Sequence, residues 1–183
     1  EVVSIPTEFG ELSDVKLFRY LEDSQNHYIN IQRVTDFQRV EGVDGSRVFS
    51  NFASNPFLPT TDVVGLLIAV DKKTGKRRWG RMLNSCSIIQ TPYESPPFLT
   101  TLSWRTRQRV PNTRRLHIEA LSQKTGNTLG VSDDFVPLDQ LSQLFQARYE
   151  RAAGYLELNG PTYRARIKFN PSRDREILAP GPF

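Results

Sequence analysis

The stretch AVDKKTGKRRW, residues 69–79, has the pattern of two strands joined by a tight polar turn. A continuous apolar run, residues 63–70, leads into the turn, and Trp79 follows it. An uncharged run rich in β-branched residues predicts a strand that is covered on both faces. Gly75 stands where a tight hairpin needs a positive φ. The stretch therefore predicts a hairpin at the centre of a β-rich fold.

The centre of this hairpin is repeated in ALSQKTGNTLG, residues 120–130. Gly75 and Gly126 are 51 positions apart, each follows a Lys-Thr pair, and an alanine stands six positions before each glycine. A four-stranded blade with its connections occupies about 40 to 50 residues, so the spacing favours repeated blades. Two unrelated Thr-Gly turns in an ordinary β-sandwich are the alternative.

Residues 69–79 resemble the repeat of the pyrroloquinoline-quinone (PQQ) dehydrogenase-type β-propellers, in which an alanine, an aspartate, a Thr-Gly turn and a tryptophan mark a blade. In that family the tryptophan stacks between adjacent blades, and the aspartate and the glycine fix its hairpin. The resemblance implies the same structural role for the matching positions, which are Ala69, Asp71, Thr74, Gly75, Lys76 and Trp79 in the first copy and Ala120, Thr125 and Gly126 in the second.

The second copy departs from the pattern, because Ser122 replaces the aspartate and Gly130 replaces the tryptophan. Degenerate repeats are expected near the end of a repeat array. Residues 27–169 also resemble, more loosely, the C-terminal part of large exported propeller proteins of planctomycete-type bacteria. This resemblance implies an exported protein, in the periplasm or at the cell surface.

The sequence divides the whole chain into three segments. Residues 1–26 are predicted to be an irregular lead-in, residues 27–169 several partial propeller blades ending in a β-meander, and residues 170–183 an irregular, proline-rich tail. Before the meander, leucines at helical spacing favour a short helical turn and then a strand that begins near Leu144. The sequence starts at Glu1 without an initiator methionine, which suggests a processed product or a piece of a longer chain.

Composition excludes several classes of function. The 24 basic residues exceed the 20 acidic ones by a margin that permits an anionic partner without requiring one. No apolar run approaches the roughly 20 residues of a membrane-spanning helix, so no transmembrane segment is predicted. A single cysteine, Cys86, rules out an internal disulfide and a cysteine-rich metal site. We interpret it as a small buried side chain.

Enzymatic chemistry is not predicted. The resemblance would require a vicinal cysteine pair, a catalytic aspartate and calcium ligands, and this chain has one cysteine and no acidic residue in a matching context. His27 and His117 lie in strand patterns with no cysteine or histidine at the spacing of metal ligands. The sequence therefore predicts no catalytic residue, no metal and no cofactor.

Five arginines occur between residues 104 and 115. Arg105, Arg107 and Arg109 alternate, so they share one face of an extended chain, which we predict to lie beside Trp104. Guanidinium groups bind carboxylates, phosphates and sulfated sugars. A solvated hairpin end, a protein or polysaccharide contact and a nucleic-acid contact remain alternatives. The candidate anion- or partner-binding residues are Trp104, Arg105, Arg107, Arg109, Arg114 and Arg115.

The favoured hypothesis is an all-β, non-catalytic propeller module for protein binding or assembly. A propeller ring needs four to eight blades, and at about 45 residues per blade this chain holds at most about four. The ring is therefore incomplete, and another protein chain or a missing propeller segment is expected to complete it, within a larger propeller or a cell-envelope complex. The alternatives are a small β-rich enzyme (a hydrolase or a degenerate quinoprotein) and an anion- or nucleic-acid-binding β domain.

Four structural expectations follow from the hypothesis. Trp79 is expected to be buried, and Gly75 and Gly126 are expected to have positive φ in hairpins between antiparallel strands. The chain is expected to form a large apolar interface with its partner. The arginine-rich segment is expected at the rim of that interface, because a buried unpaired guanidinium group is costly.

Overall fold

The computed structural model has an all-β fold, which confirms the predicted fold class at this level. The part of the chain that the structure describes contains eleven strands. No helix of the described residues is long and apolar enough to cross a membrane. The described residues are 14–33, 47–49, 60–89, 98–106, 114–136, 146–150, 153–159 and 164–168.

The described strands, which differ in length, are β1 (Val15–Glu22), β2 (Asn26–Arg33), β3 (Arg47–Phe49), β4 (Thr60–Asp71), β5 (Arg77–Ile89), β6 (Phe98–Thr106), β7 (Arg114–Ser122), β8 (Thr128–Val136), β9 (Gln146–Glu150), β10 (Tyr155–Asn159) and β11 (Arg164–Lys168). Their lengths range from three residues in β3 to thirteen in β5, and the two copies of the repeat lie in β4, β5, β7 and β8 with their turns.

The strands form two antiparallel sheets. The larger sheet has the spatial order β1-β2-β4-β5-β6-β7-β8, with β3 paired to β6, and the smaller sheet has the order β11-β10-β9. β5 and β6 are joined over a short distance, through Ser87 and Ile88 of β5. This narrow joint divides the larger sheet into a first half (β1, β2, β4 and β5) and a second half (β6, β7 and β8).

The two halves pack face to face, and the three-stranded sheet packs on the far side of the second half. Leu121 of β7 belongs to the same buried cluster as Trp79 and Leu67 of the first half. Ile118, which faces the other side of β7, belongs to a cluster with Leu156 of β10. The described part of the chain is therefore a stack of three layers, with the second half in the middle.

The apolar run at residues 63–70 lies in β4 and is buried along its whole length. Leu67 packs in the cluster that faces the second half, whereas Leu66 and Ile68 pack in a cluster on the opposite face. Because neighbouring residues of a strand point to opposite faces, this arrangement confirms the prediction of a strand covered on both sides.

The prediction of an irregular lead-in at residues 1–26 is wrong for β1. This strand pairs with β2 along its length, from Val15 opposite Arg33 to Glu22 opposite His27. Its backbone hydrogen bonds come from that partner strand, so its order does not depend on a regular alternation of apolar and polar residues. Leu17 and Phe18 are consecutive apolar residues that break such an alternation.

The predicted three-stranded meander at the end of the β-rich region is confirmed as β9, β10 and β11. Its first strand begins at Gln146, close to the predicted start near Leu144. The predicted helical turn before it and the predicted tail at residues 170–183 lie outside the described residues.

Candidate functional site

The two copies of the repeat fold into the same turn, which we call the first turn (residues 71–76) and the second turn (residues 122–127). Gly75 and Gly126 have φ angles of 66° and 73°, which confirms the prediction of positive φ at both glycines. The N–H of each glycine donates a 2.9 Å hydrogen bond to a backbone carbonyl four residues earlier, that of Asp71 or of Ser122.

The side chains that cap the turns also correspond. Oδ1 of Asp71 accepts hydrogen bonds from the backbone N–H groups two and three positions later, at 2.9 and 2.8 Å. Oγ of Ser122 accepts the same two bonds, each 3.1 Å long. A serine hydroxyl and a carboxylate can both cap a turn in this way. The replacement of aspartate by serine therefore leaves the backbone of the second turn unchanged.

The other motif residues complete the same pattern in both copies. The hydroxyl of Thr74 accepts a 3.3 Å bond from the N–H of Lys76, and the hydroxyl of Thr125 accepts a 3.4 Å bond from the N–H one position beyond Gly126. The strand register shifts just after Ala69 and just after Ala120. The two turns are thus equivalent in hydrogen bonding and in register.

Asp71 of the first turn also makes an ion pair, which Ser122 at the same position of the second turn cannot make. The carboxylate of Asp71 accepts hydrogen bonds from Nη2 and, at 2.9 Å, from Nε of Arg78. The Arg78 guanidinium, followed by the backbone N–H of Thr74, holds the pKa of the Asp71 carboxyl well below its ordinary value. A carboxyl whose pKa is lowered by folding stabilises the folded chain only where it is ionised.

We expect Asp71→Ser to make the chain less stable near neutral pH and to make stability less dependent on pH. The serine keeps the turn bonds seen at Ser122 but cannot pair with Arg78. The stabilisation by the wild-type carboxylate is present above the ordinary carboxyl pKa of about 4 and is lost as the pH falls toward the lower folded pKa. Urea unfolding followed by circular dichroism, across this range, measures the difference between the two proteins.

Ser122→Ala is the matched control, because it removes the equivalent turn bonds without removing a charge. Its loss of stability is expected to be the same at each pH. A difference between wild type and Asp71→Ser that stays constant down to about pH 3, below the ordinary pKa, would contradict the assignment of the ion pair.

Trp79 lies between the two halves of the larger sheet, and its 7% exposure confirms the prediction that it is buried. Its Nε1 donates a 3.0 Å hydrogen bond to the carbonyl of Gln123 in the second turn. Its ring lies so close to Gly126 that a Cβ on the glycine would be 2.7 Å from Cδ2 of the indole. Gly126 therefore has two functions, since it provides both the positive φ and the space for the ring.

Other contacts that the sequence does not predict surround the indole. Arg81, two positions after Trp79 on the same face of β5, donates through Nη1 to the carbonyl of Gly126 at 2.9 Å and through Nη2 to Oε1 of Glu119 at 2.7 Å. Asn26 donates to the carbonyl of Gln123 at 3.3 Å. The spacing of Arg81 from the tryptophan was the only sequence signal for this set, since residues two apart in a strand share a face.

Gly130 occupies the position in the second copy that corresponds to Trp79. A Cβ at Gly130 would lie 2.6 Å from the backbone oxygen of Lys168, because β11 contacts β8 at this point. The three-stranded sheet takes the place that an indole would need. This contact is a physical reason for the missing tryptophan of the second copy.

Three large apolar side chains are exposed on the face of the first half that points away from the second half. They are Phe18, Tyr20 and Met82, with exposed fractions of 51%, 60% and 59%. Cross-strand partners share a face, and the register places Phe18 opposite Ile31 and Met82 opposite Leu66. We call this surface the outer apolar face; its buried members are Ile31, Leu66, Ile68 and Val70.

The outer face of the three-stranded sheet is charged instead. Glu157 pairs with Arg166 at 2.6 Å and with Arg164 at 3.7 Å, and the Arg166 guanidinium lies 5.0 Å from the centre of the Tyr155 ring. The hydrogen bond from Arg166 is the main cause of a lowered pKa at Glu157. Thus the two ends of the three-layer stack differ, one being apolar and the other ionic.

The structure describes only part of the arginine-rich segment, residues 104–106 and 114–115, so the predicted face of alternating arginines stays a prediction. Trp104 is 3% exposed and belongs to the core between the second half and the three-stranded sheet, so its predicted place on an exposed binding face is wrong. Arg115 pairs with Asp133 at 3.1 Å. Arg105 and Arg114 belong to β6 and β7, their side chains lying outside what is described, and Arg107 and Arg109 lie outside the described residues.

A serine, a histidine and an aspartate occupy one row across the second half. Ser103 is opposite His117, which is opposite Asp133, and Nδ1 of His117 lies 2.8 Å from Oδ1 of Asp133. Within the described residues Ser103 makes no hydrogen bond to His117, and its hydroxyl is buried with the strand. A nucleophile must be within hydrogen-bond reach of its base, and Ser103 and His117 are not paired in this way.

No other chemically reactive group stands out in the described part of the chain. No cluster of three or more histidine, cysteine, aspartate or glutamate side chains there could hold a metal ion. Cys86 is buried, and burial raises the pKa of its thiol. The thiolate is the reactive form of cysteine, so this residue contributes to packing.

The contact between Trp79 and the second turn, together with the outer apolar face, is therefore the candidate functional region. Both features concern how sheets pack on one another, and neither is suited to transforming a small molecule. Comparison of the chain with protein-family models, with curated proteins and with solved structures gives no match.

Proposed function

We propose that the chain is a non-catalytic β module that assembles with another protein segment through its outer apolar face. The observation that carries this proposal is the exposure of Phe18, Tyr20 and Met82 around a buried apolar cluster. Phe18 and Tyr20 lie on β1 and Met82 lies on β5, so the exposed apolar side chains stand at both edges of this sheet face, with the buried Ile31 and Leu66 between them. Isolated apolar side chains are common on protein surfaces, but several on one sheet face favour a surface that another protein contacts.

The internal repeat supports a propeller-type stack as the form of this assembly. Two equivalent turns, an indole between the first two layers and a face-to-face stack of successive sheets are features expected of neighbouring blades. The missing blades belong to another chain or to another segment of a longer protein. A place in the cell envelope follows from the resemblance alone and depends on it.

The difference between the two ends of the stack supports association in one direction. Terminal repeats of solenoid-type proteins present a polar outer face to water, and the charged face of the three-stranded sheet meets that description. The outer apolar face does not present such a polar surface to water. Further sheets therefore add to the first half, and the three-stranded sheet is the closed end.

The proposal is tested by light scattering coupled to size exclusion, with the wild-type chain and the triple variant Phe18→Ser, Tyr20→Ser, Met82→Ser. We expect the wild-type chain to associate beyond its 20.9 kDa monomer mass and to bind a dye specific for apolar surfaces. The triple variant is expected to lose both properties, because its three exposed apolar side chains are gone.

Val131→Ser is the matched control, since Val131 is an exposed apolar residue of β8 outside the outer apolar face. This variant is expected to associate as the wild type does. A wild-type chain that is a compact monomer with no dye binding would contradict the proposal, and so would equal effects of the triple variant and of Val131→Ser.

A further inference from the structure

The outer face of the three-stranded sheet, which we call the charged face, holds Glu157 of β10 between two arginines. Arg148 of β9 and Arg166 of β11 are its partners in the same cross-strand row. Arg164 and Lys168 lie two positions before and after Arg166, and residues two apart in a strand share a face. The charged face therefore carries four basic side chains around one central carboxylate.

The acidic side chains of the charged face are much less exposed than the arginines. The side chain of Glu157 is 10% exposed and that of Glu150 is 32% exposed. The side chains of Arg148, Arg164 and Arg166 are 66%, 63% and 54% exposed. The surface that solvent contacts is therefore basic, although the sheet contains carboxylates.

The three arginines use the same atom, Nε, for their polar contacts within the sheet. In Arg166 it donates to Glu157 at 2.6 Å, and in Arg148 it lies 2.7 Å from Oε1 of Glu150. In Arg164 it donates at 3.2 Å to the side-chain amide oxygen at the end of β10. Within the described part of the chain, Nη1 and Nη2 of these three side chains have no hydrogen-bond partner.

Guanidinium groups held at Nε are well placed to bind oxoanions. Nη1 and Nη2 offer parallel N–H bonds that match the two oxygens of a carboxylate or a sulfate. Because the Nε contacts already restrict the side chains, less conformational entropy is lost when a ligand binds.

The arginines are spread over several ångströms rather than gathered around one point. Arg164 and Arg166 are about 7 Å apart along β11, and Arg148 and Arg166 are about 10 Å apart across two strand spacings. These backbone distances exceed the size of a single small anion. The charged face therefore fits a ligand that carries several anionic groups along a chain.

We propose that the charged face binds an anionic polysaccharide, whose carboxylate or sulfate groups accept hydrogen bonds from Arg148, Arg164 and Arg166. The charged face lies at the opposite end of the three-layer stack from the outer apolar face. The inference therefore goes beyond the proposed function and does not depend on it.

Two features favour a sugar chain over a nucleic acid. The guanidinium of Arg166 lies over the ring of Tyr155, 5.0 Å from its centre, and so covers the aromatic surface on which a base would stack. Glu150 and Glu157 add negative charge that opposes the dense phosphate charge of a nucleic acid. The exposed amide of Gln146, by contrast, can both donate to and accept from sugar hydroxyl groups.

Fluorescence anisotropy of labelled polysaccharides with the whole chain, at about 0.15 M salt, tests the proposal. Dextran sulfate supplies only sulfate groups and polygalacturonate only carboxylates, so the comparison identifies the group that the arginines bind. At least one of the two is expected to bind, and uncharged dextran is expected not to bind. The proposal would be overturned if neither bound, or if an oligothymidylate with the same number of charges bound more tightly than both.

The double variant Arg148→Gln, Arg164→Gln removes two of the three guanidinium groups and leaves the buried Glu157 paired with Arg166. Its affinity is expected to be about five- to thirty-fold lower, which is the range for the loss of two exposed charge pairs. Circular dichroism checks that this variant is folded as the wild type is.

Lys73→Gln, Lys76→Gln is the matched control, because it removes the same charge from exposed residues of the first turn. This variant is expected to bind as the wild-type chain does. Equal weakening in the two double variants would show that binding depends on net charge and would overturn the assignment to the charged face.

Glu157→Gln distinguishes positioned arginines from net charge on the charged face itself. The substitution removes a negative charge, so binding through charge alone would become tighter. We expect the affinity to fall about two- to ten-fold instead, the range for the ordering of one side chain, because the carboxylate that holds Arg166 and lies 3.7 Å from Arg164 is lost. Unchanged or tighter binding would contradict the proposal that these guanidinium groups are held in place for the ligand.

Discussion

Replacing Trp79 with alanine is expected to lower the free energy of unfolding by about 3 to 5 kcal/mol, the usual cost of truncating a large buried aromatic side chain. The indole fills the space between the first half and the second turn, and its Nε1 satisfies the carbonyl of Gln123. Alanine leaves a cavity at the joint between two layers. Chemical unfolding followed by circular dichroism measures the loss.

The variant Trp79→Phe distinguishes the contribution of ring packing to stability from the contribution of the indole hydrogen bond. Phenylalanine retains most of the apolar contact with Gly126 but leaves the carbonyl of Gln123 with only the 3.3 Å bond from Asn26, a change expected to cost about 0.5 to 1.5 kcal/mol. If Trp79→Ala costs less than the phenylalanine variant, the indole does not hold the two halves together.

Gly126→Ala is expected to cost more than Gly75→Ala, although the two glycines have nearly the same φ. At both positions alanine must adopt a left-handed conformation, at a cost of about 1 to 2 kcal/mol. At Gly126 the new Cβ also meets the indole of Trp79 at 2.7 Å, and such overpacking adds about 1 to 3 kcal/mol. Chemical unfolding measures the loss of stability in each variant. Because the left-handed backbone costs about the same at both positions, the difference between the two losses gives the cost of the contact between the new Cβ and the indole.

A double-mutant cycle makes this prediction stricter. In the Trp79→Ala background the ring is absent, so Gly126→Ala and Gly75→Ala are expected to cost the same. Equal losses in the wild-type background would show instead that the indole moves away from the second turn at no cost.

The hairpin at residues 69–79 could be predicted because its determinants are local. The glycine at positive φ, the capping aspartate and the buried tryptophan all lie within eleven residues, and the turn has the same form wherever the chain places it. The outer apolar face could not be predicted, because it joins residues of β1 and β5 that are far apart in sequence. Because apolar residues are consecutive in β1, the sequence pattern also does not indicate which of them faces outward.

The place of Trp104 was wrong for a related reason. Alternation shows which residues of a strand share a face, but it does not show which face another sheet covers. The cover of Trp104 comes from the three-stranded sheet, more than forty residues later in the chain. The contact from Arg81 to Glu119 likewise depends on how two sheets stack. A short stretch of sequence carries no information on that arrangement.

The close approach of β11 to Gly130 has a consequence for anyone who would lengthen this molecule by protein design. Between the second half and the three-stranded sheet, Lys168 leaves no space for a Cβ, let alone for an indole. A designed unit therefore cannot be packed at this end through a tryptophan introduced at Gly130 while β11 stays in place.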